Sequence, residues 1–131
     1  MPLAMLLGSM AALLAWQINK FALQRVGERW ILPAPAAEET VKTAAAVLGG
    51  ADIFLTHLFF GVVEGFWEYY NRQNGVLAGL AALASHSVFG FTTLWIYLWW
   101  GQWVVALGAG ILVHTAWNYL IIKYAGRGHN N

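Results

Sequence analysis

Apolar and polar positions alternate along this chain in blocks, not residue by residue. Residues 75–100 and 101–122 contain no Lys, Arg, Asp or Glu, and residues 2–19 form a third such block. The first two exceed the roughly 18–20 residues that cross a bilayer as a helix, and the third is of borderline length. Between the first block and the other two, Pro33 and Pro35 precede an alanine-rich segment, Gly49-Gly50 interrupts it, and Asn71-Arg72-Gln73-Asn74-Gly75 ends the next one. Proline suits a first helical turn, and paired glycines break a helix. The pattern predicts five helices, over 3–23, 36–48, 51–70, 76–99 and 103–122, with Asp52 as the N-cap of the third. An unbroken helix over 36–70 would be about 52 Å long, against a hydrocarbon core of about 30 Å, so a hinge at the glycines fits better.

Composition moves this from a helical protein to a membrane protein. The 131 residues are 60% apolar and 15% aromatic but only 10% charged, against about 25% charged in soluble domains. Mean hydropathy is +0.56. The expected fold is an all-α integral membrane protein of about five transmembrane helices, forming one domain over 1–131. It comprises a first span at 3–23, a loop at 24–35, a helical core at 36–122 and a polar tail at 123–131. The N-terminus lacks a basic region ahead of its apolar run, and Ala34-Pro35-Ala36 lies too far beyond it for a cleavage site, so it reads as a retained span. The net charge of +1 comes with scattered basic residues and no patch for nucleic acid. With no cysteines, disulfides and thiolate metal sites are excluded.

Loop charges set an orientation. With the N-terminus outside and five spans, Lys20, Arg25, Arg29, Arg72, Lys123 and Arg127 all fall on the cytoplasmic side, and only Lys42 lies elsewhere. The Trp99-Trp100-Gly101-Gln102-Trp103 turn then occupies the outer interface. Measured from the inner helix ends, Glu64 lies about six residues in, Asn118 about four, His114 about eight and His86 about eleven, within about 17 Å at 1.5 Å per residue. Glu38 and Glu39 stand at the entrance of the second helix. Ionisable groups of four helices thus share one slab open to the cytoplasm.

A charge at the bilayer centre costs roughly 2.5–3.5 kcal/mol on insertion scales, so these residues call for an explanation. Glu38 and Glu39 lie at i,i+4 and i,i+3 from Lys42, which reads either as an interfacial salt-bridge cluster or as a lysine holding one carboxylate charged while the other serves as a base. Glu64 shares a face with Glu68, which reads as solvated, and with His57 one heptad earlier, which reads as a hydrogen-bonded structural residue. Gly61 and Gly65 let another helix approach beside Glu64. His86 is alone at mid-span. His114 and Asn118, at i,i+4, project from one face, where they could bind metal or aim donors at an oxyanion. His129 in the tail is assigned no role. Any one group is weak; acids and histidines at matched depth on four helices point to proton chemistry.

The ordered set Glu38-Glu39-x-x-Lys42, Phe60-x-x-x-Glu64, His86 and His114-x-x-x-Asn118 resembles the PrsW family of intramembrane proteases, within the type II CAAX-processing and Abi-related group. Pro35-Ala-Ala before the glutamates and Ala116-Trp117 inside the last motif look similar too, and the match covers about residues 35–120. Members usually have more spans, so this chain looks like a trimmed core. The resemblance implies a glutamic-type endopeptidase, in a prokaryotic plasma membrane, that cuts a transmembrane or membrane-anchored protein or peptide near the cytoplasmic face. Glu38 or Glu39 would activate a water with help from His86; His114 and Asn118 would stabilise the oxyanion; Glu64 would orient the water or hold a histidine tautomer; Lys42 would support the glutamates. Zinc on Glu39, Glu64, His86 and His114 is an alternative, but without a His-Glu-x-x-His motif the metal-free route is favoured. The implied partners are the substrate, the bilayer and a second copy in a homodimer. Two other functions compete: an inactive binding or immunity relative, and a small proton or cation carrier using the same acids as a relay.

Overall fold

The computed structural model describes residues 1–125, so the expected placements of Arg127 and His129 lie outside the described residues. Among them the secondary structure is entirely helical: α1 (Pro2–Val26), α2 (Ala34–Gly49), α3 (Ile53–Asn71), α4 (Gly75–Trp100) and α5 (Trp103–Ala125), with one 3-10 turn at Gly27–Trp30. The five expected helices are all present, and their ends follow local chemistry. The first runs three residues past its expected end at 23, to Val26, where Gly27 takes φ 64° and ends it. That glycine also turns part of the expected loop into the 3-10 turn. Gly50 caps α2 at φ 67° and Gly101 caps α4 at φ 68°. Asp52 caps α3, its Oδ1 accepting the Leu55 amide at 2.7 Å.

The helices pack in a closed circuit, α1 on α3, α3 on α4, α4 on α5, α5 on α2 and α2 back on α1, with α2 also reaching α3. The tightest seam is α3 on α4, where glycines remove the intervening side chains. A Cβ on Gly65 would come within 3.0 Å of the Gly79 carbonyl, and one on Gly90 within 2.6 Å of the His57 Cβ.

The interior is inverted relative to a soluble domain. Its apolar part is mostly alanine, with Ile53, Phe60 and Phe89, whereas Glu39, Lys42, Thr43, Thr56, His57, Ser85, His86, Thr93 and His114 are buried. Large residues such as Leu13, Leu80, Trp95, Leu112 and Ile121 face outward. An apolar exterior of this extent has no cost in lipid but exceeds what soluble monomers expose. Three segments, Pro2–Trp30, Gly75–Trp100 and Trp103–Lys123, are long and apolar enough to cross a membrane, consistent with a membrane protein. The 16-residue α2 reaches only about 24 Å, and α3 carries Glu64 and Glu68 in its second half.

Candidate active site

The site grows from the first two turns of α2. Pro35 is buried, which draws the start of this helix into the bundle, and the buried face continues through Glu38, Glu39, Lys42, Thr43 and Ala46. Lys42 and Glu39, one turn apart, form an ion pair with Nζ to Oε1 at 2.5 Å and no exposure of either side chain. Lys42 also lies 4.4 Å above the ring of Phe60, so the aromatic residue of the Phe60-x-x-x-Glu64 spacing faces the cation.

Three histidines from three other helices close around this pair. On α3, His57 gives its Nδ1 hydrogen to the Ile53 carbonyl at 2.9 Å and places Nε2 3.0 Å from Glu39 Oε2. On α5, His114 Nδ1 donates to Glu39 Oε1 at 2.8 Å, leaving its Nε2 3.8 Å from Glu38 Oε2. On α4, His86 holds Nδ1 2.9 Å from Lys42 Nζ and Nε2 against Glu64 Oε2. The rings are packed as well as bonded: Phe89 stacks on His114 at 4.3 Å, and His86 meets His114 edge-on at 5.4 Å.

The protonation pattern of His86 follows from its partners. An ammonium can only donate, so Lys42 occupies the Nδ1 lone pair and the ring hydrogen belongs on Nε2, where it donates to Glu64.

The two adjacent glutamates have opposite surroundings. Glu39 has no exposure, and both of its oxygens are engaged, by Lys42 and His114 on one side and His57 on the other. Glu38 accepts one hydrogen bond, from Asn19 Nδ2 to Oε1 at 2.7 Å, and its Oε2 is buried with no hydrogen-bond partner. Glu38 and Glu64 both line a cleft of about 570 Å³ between α1 and α3, and Glu39 does not. The cleft walls are Leu13, Trp16, Val63 and Trp67, with Asn19 beside Glu38 and the Glu68–Arg72 pair at the end of α3. That pair, at 2.6 Å, raises the Arg72 guanidinium above its ordinary pKa.

Of the expected residues, Glu38, Glu39, Lys42, Glu64, His86 and His114 thus meet in one network. Asn118 does not join it: its side chain makes no hydrogen bond among the described residues, and it lies one turn, about 6 Å, along α5 from His114. The grouping expected for a metal also shifts. Ligand atoms of Glu38, Glu64 and His86 lie within 4.8 Å of one another, whereas Glu39 is consumed by its three donors. His57, read from the sequence as a hydrogen-bonded structural residue, is hydrogen-bonded as expected, but its partner is the hub carboxylate Glu39; its spacing to Phe60 and Glu64 (i, i+3, i+7) marks one face of α3. Sequence reasoning left out Asn19 and Trp30, whose indole donates to Asn19 Oδ1 at 2.8 Å; no spacing signal flags either.

No protein-family model, curated protein or solved structure matches this chain.

Proposed function

We propose that this protein is an intramembrane endopeptidase of the PrsW type in which Glu38 activates water. One observation carries the reading: Glu38 lines a cleft and keeps an unpartnered buried oxygen 3.8 Å from the free nitrogen of His114, whose other nitrogen is held by Glu39. A carboxylate-anchored imidazole beside an unsatisfied carboxylate can accept and pass on a proton. Glu38 Oε2 takes a proton from a water in the cleft, and the hydroxide oxygen bonds to the carbonyl carbon of a peptide lying between α1 and α3. The proton passes through His114 Nε2 to the amide nitrogen as the C–N bond breaks, giving a carboxylic acid and an amine. Glu64, hydrogen-bonded to the His86 Nε2–H, lines the same cleft and orients the water.

The His86 tautomer supports the metal-free route. A cation held by Glu38, Glu64 and His86 would need the Nε2 lone pair, but with Lys42 on Nδ1 that nitrogen carries the hydrogen. The apolar cleft walls suit a membrane-borne substrate. The same reading takes all five helices across the bilayer, α2 and α3 thinning it locally, with the basic residues at the ends of α1 and α3 in the cytoplasm of a prokaryotic cell.

The test is cleavage of a membrane-tethered peptide reporter by the full chain reconstituted in liposomes. Glu38→Gln should cut at least about 100-fold more slowly, the usual range for loss of a general base, and a chelator should leave the unaltered protein's rate unchanged. Cutting by Glu38→Gln at the unaltered rate would overturn the proposal.

A further inference from the structure

We infer that Asn19, clamped by Trp30, is a positioning residue that holds the unpartnered oxygen of Glu38 toward His114. The inference rests on the reading of Glu38 as the base. Asn19 belongs to α1 and Trp30 to the 3-10 turn after it, so neither lies on the helices that supply the charged network.

The hydrogen-bond direction is forced. An indole N–H only donates, so the Trp30 Nε1 contact at 2.8 Å fixes the Asn19 oxygen on that side. The amide nitrogen then faces Glu38 and donates to Oε1 at 2.7 Å. Oε1 is therefore the accepting oxygen, and any proton carried by Glu38 must sit on Oε2, the oxygen with no partner. Without the clamp, the Asn19 amide could flip and present its oxygen to the carboxylate, or the carboxylate could rotate and lose its 3.8 Å approach to His114. Asn19 itself lines the cleft beside Glu38, so the arrangement stays in reach of a bound peptide.

Asn19→Asp preserves shape and still accepts from Trp30, but when ionised it has no hydrogen for Glu38 and sets a second negative charge against it. The neutral amide donor is lost, and the two carboxyls compete for one proton. In reconstituted full-length protein, Asn19→Asp should lower kcat about 10- to 100-fold, as expected for loss of a hydrogen bond to a charged group, with KM within about twofold. Trp30→Phe should give a smaller loss of the same kind and should keep the unaltered melting temperature within a few degrees. A second readout does not depend on cleavage. A hydrophobic carbodiimide reacts with protonated carboxyl groups, and tandem mass spectrometry distinguishes Glu38 from Glu39. Both variants should change the Glu38 labelling rate at fixed pH several-fold and leave Glu39 unlabelled. If the unaltered protein cuts nothing yet Glu38 labelling responds, the peptidase reading fails and the positioning role stands. Unaltered kcat together with unaltered Glu38 labelling in Asn19→Asp would overturn the inference.

Discussion

Lys42 Nζ lies 2.9 Å from His86 Nδ1, joining α2 and α4 across 44 positions of sequence. The same ammonium is paired with Glu39 at 2.5 Å, so one buried cation both neutralises the hub carboxylate and fixes the tautomer of the histidine that holds the cleft-lining Glu64. The stability of the bundle and the chemistry of the cleft therefore share a residue.

Breaking that pair from one side leaves an uncompensated buried charge. Lys42→Met should destabilise the fold by about 3–5 kcal/mol, measured by denaturant titration in detergent micelles. Combining it with Glu39→Gln should cost clearly less than the two separate losses added together, because the second change removes the charge that the first leaves stranded.

The α3–α4 seam makes a steric prediction. Ala at Gly90 would place a methyl 2.6 Å from the His57 Cβ, and Ala at Gly61 would place one 2.7 Å from the His86 Cβ. Each should lower stability by about 1–3 kcal/mol, typical of overpacking, and weaken the histidine network behind it. A Cβ on Gly108, in α5, meets nothing within 4 Å, so Gly108→Ala should be neutral or stabilising. Melting curves of the three variants decide this.

Lys42 should also govern metal affinity. With the ammonium on Nδ1, His86 presents a hydrogen and not a lone pair toward Glu64. Lys42→Met releases that constraint, and zinc affinity, measured by competition with a fluorescent chelator, should rise at least about tenfold while the unaltered protein binds weakly. Equal affinities would contradict the tautomer assignment.

The proposed topology places the α3–α4 and α4–α5 turns on opposite membrane faces. The chain has no cysteine, so Gln73→Cys and Gln102→Cys give clean single labels. In intact cells an impermeant maleimide should modify Gln102→Cys and spare Gln73→Cys; the reverse pattern would invert the proposed orientation.

Much of the fold is legible in the chain because its punctuation is local. Gly49-Gly50, Asp52, the polar 71–75 segment and Gly101 act within a turn of themselves, and each marks a helix end. The Glu39–Lys42 pair is legible for the same reason, being one turn apart. The partners that make the site are not local. His114 meets Glu39 across 75 positions, and nothing in either helix specifies the other. Glu38 and Glu39 are inseparable on paper because neighbours on a helix differ by only about 100° in direction; packing sends one to the hub and the other to the cleft wall. His57 shows a different loss. Its spacing to Phe60 and Glu64 puts it on the active face, but a lone histidine carries no sign of which carboxylate awaits it. Asn118 shows the reverse: i,i+4 from His114 guarantees a shared face, yet one turn along the axis takes it out of the network.

The most direct measurement compares Glu38→Gln with Glu39→Gln for both melting temperature and reporter cleavage in the same liposomes. Glu38→Gln should melt within a few degrees of the unaltered protein and lose cleavage, because its one hydrogen bond, from Asn19, survives on the Gln carbonyl oxygen. Glu39→Gln should lose several kcal/mol of stability along with activity, because Lys42, His57 and His114 all depend on that carboxylate. A Glu39→Gln protein as stable as the original, or a Glu38→Gln protein that still cleaves normally, would contradict the division between a closed hub and an open base.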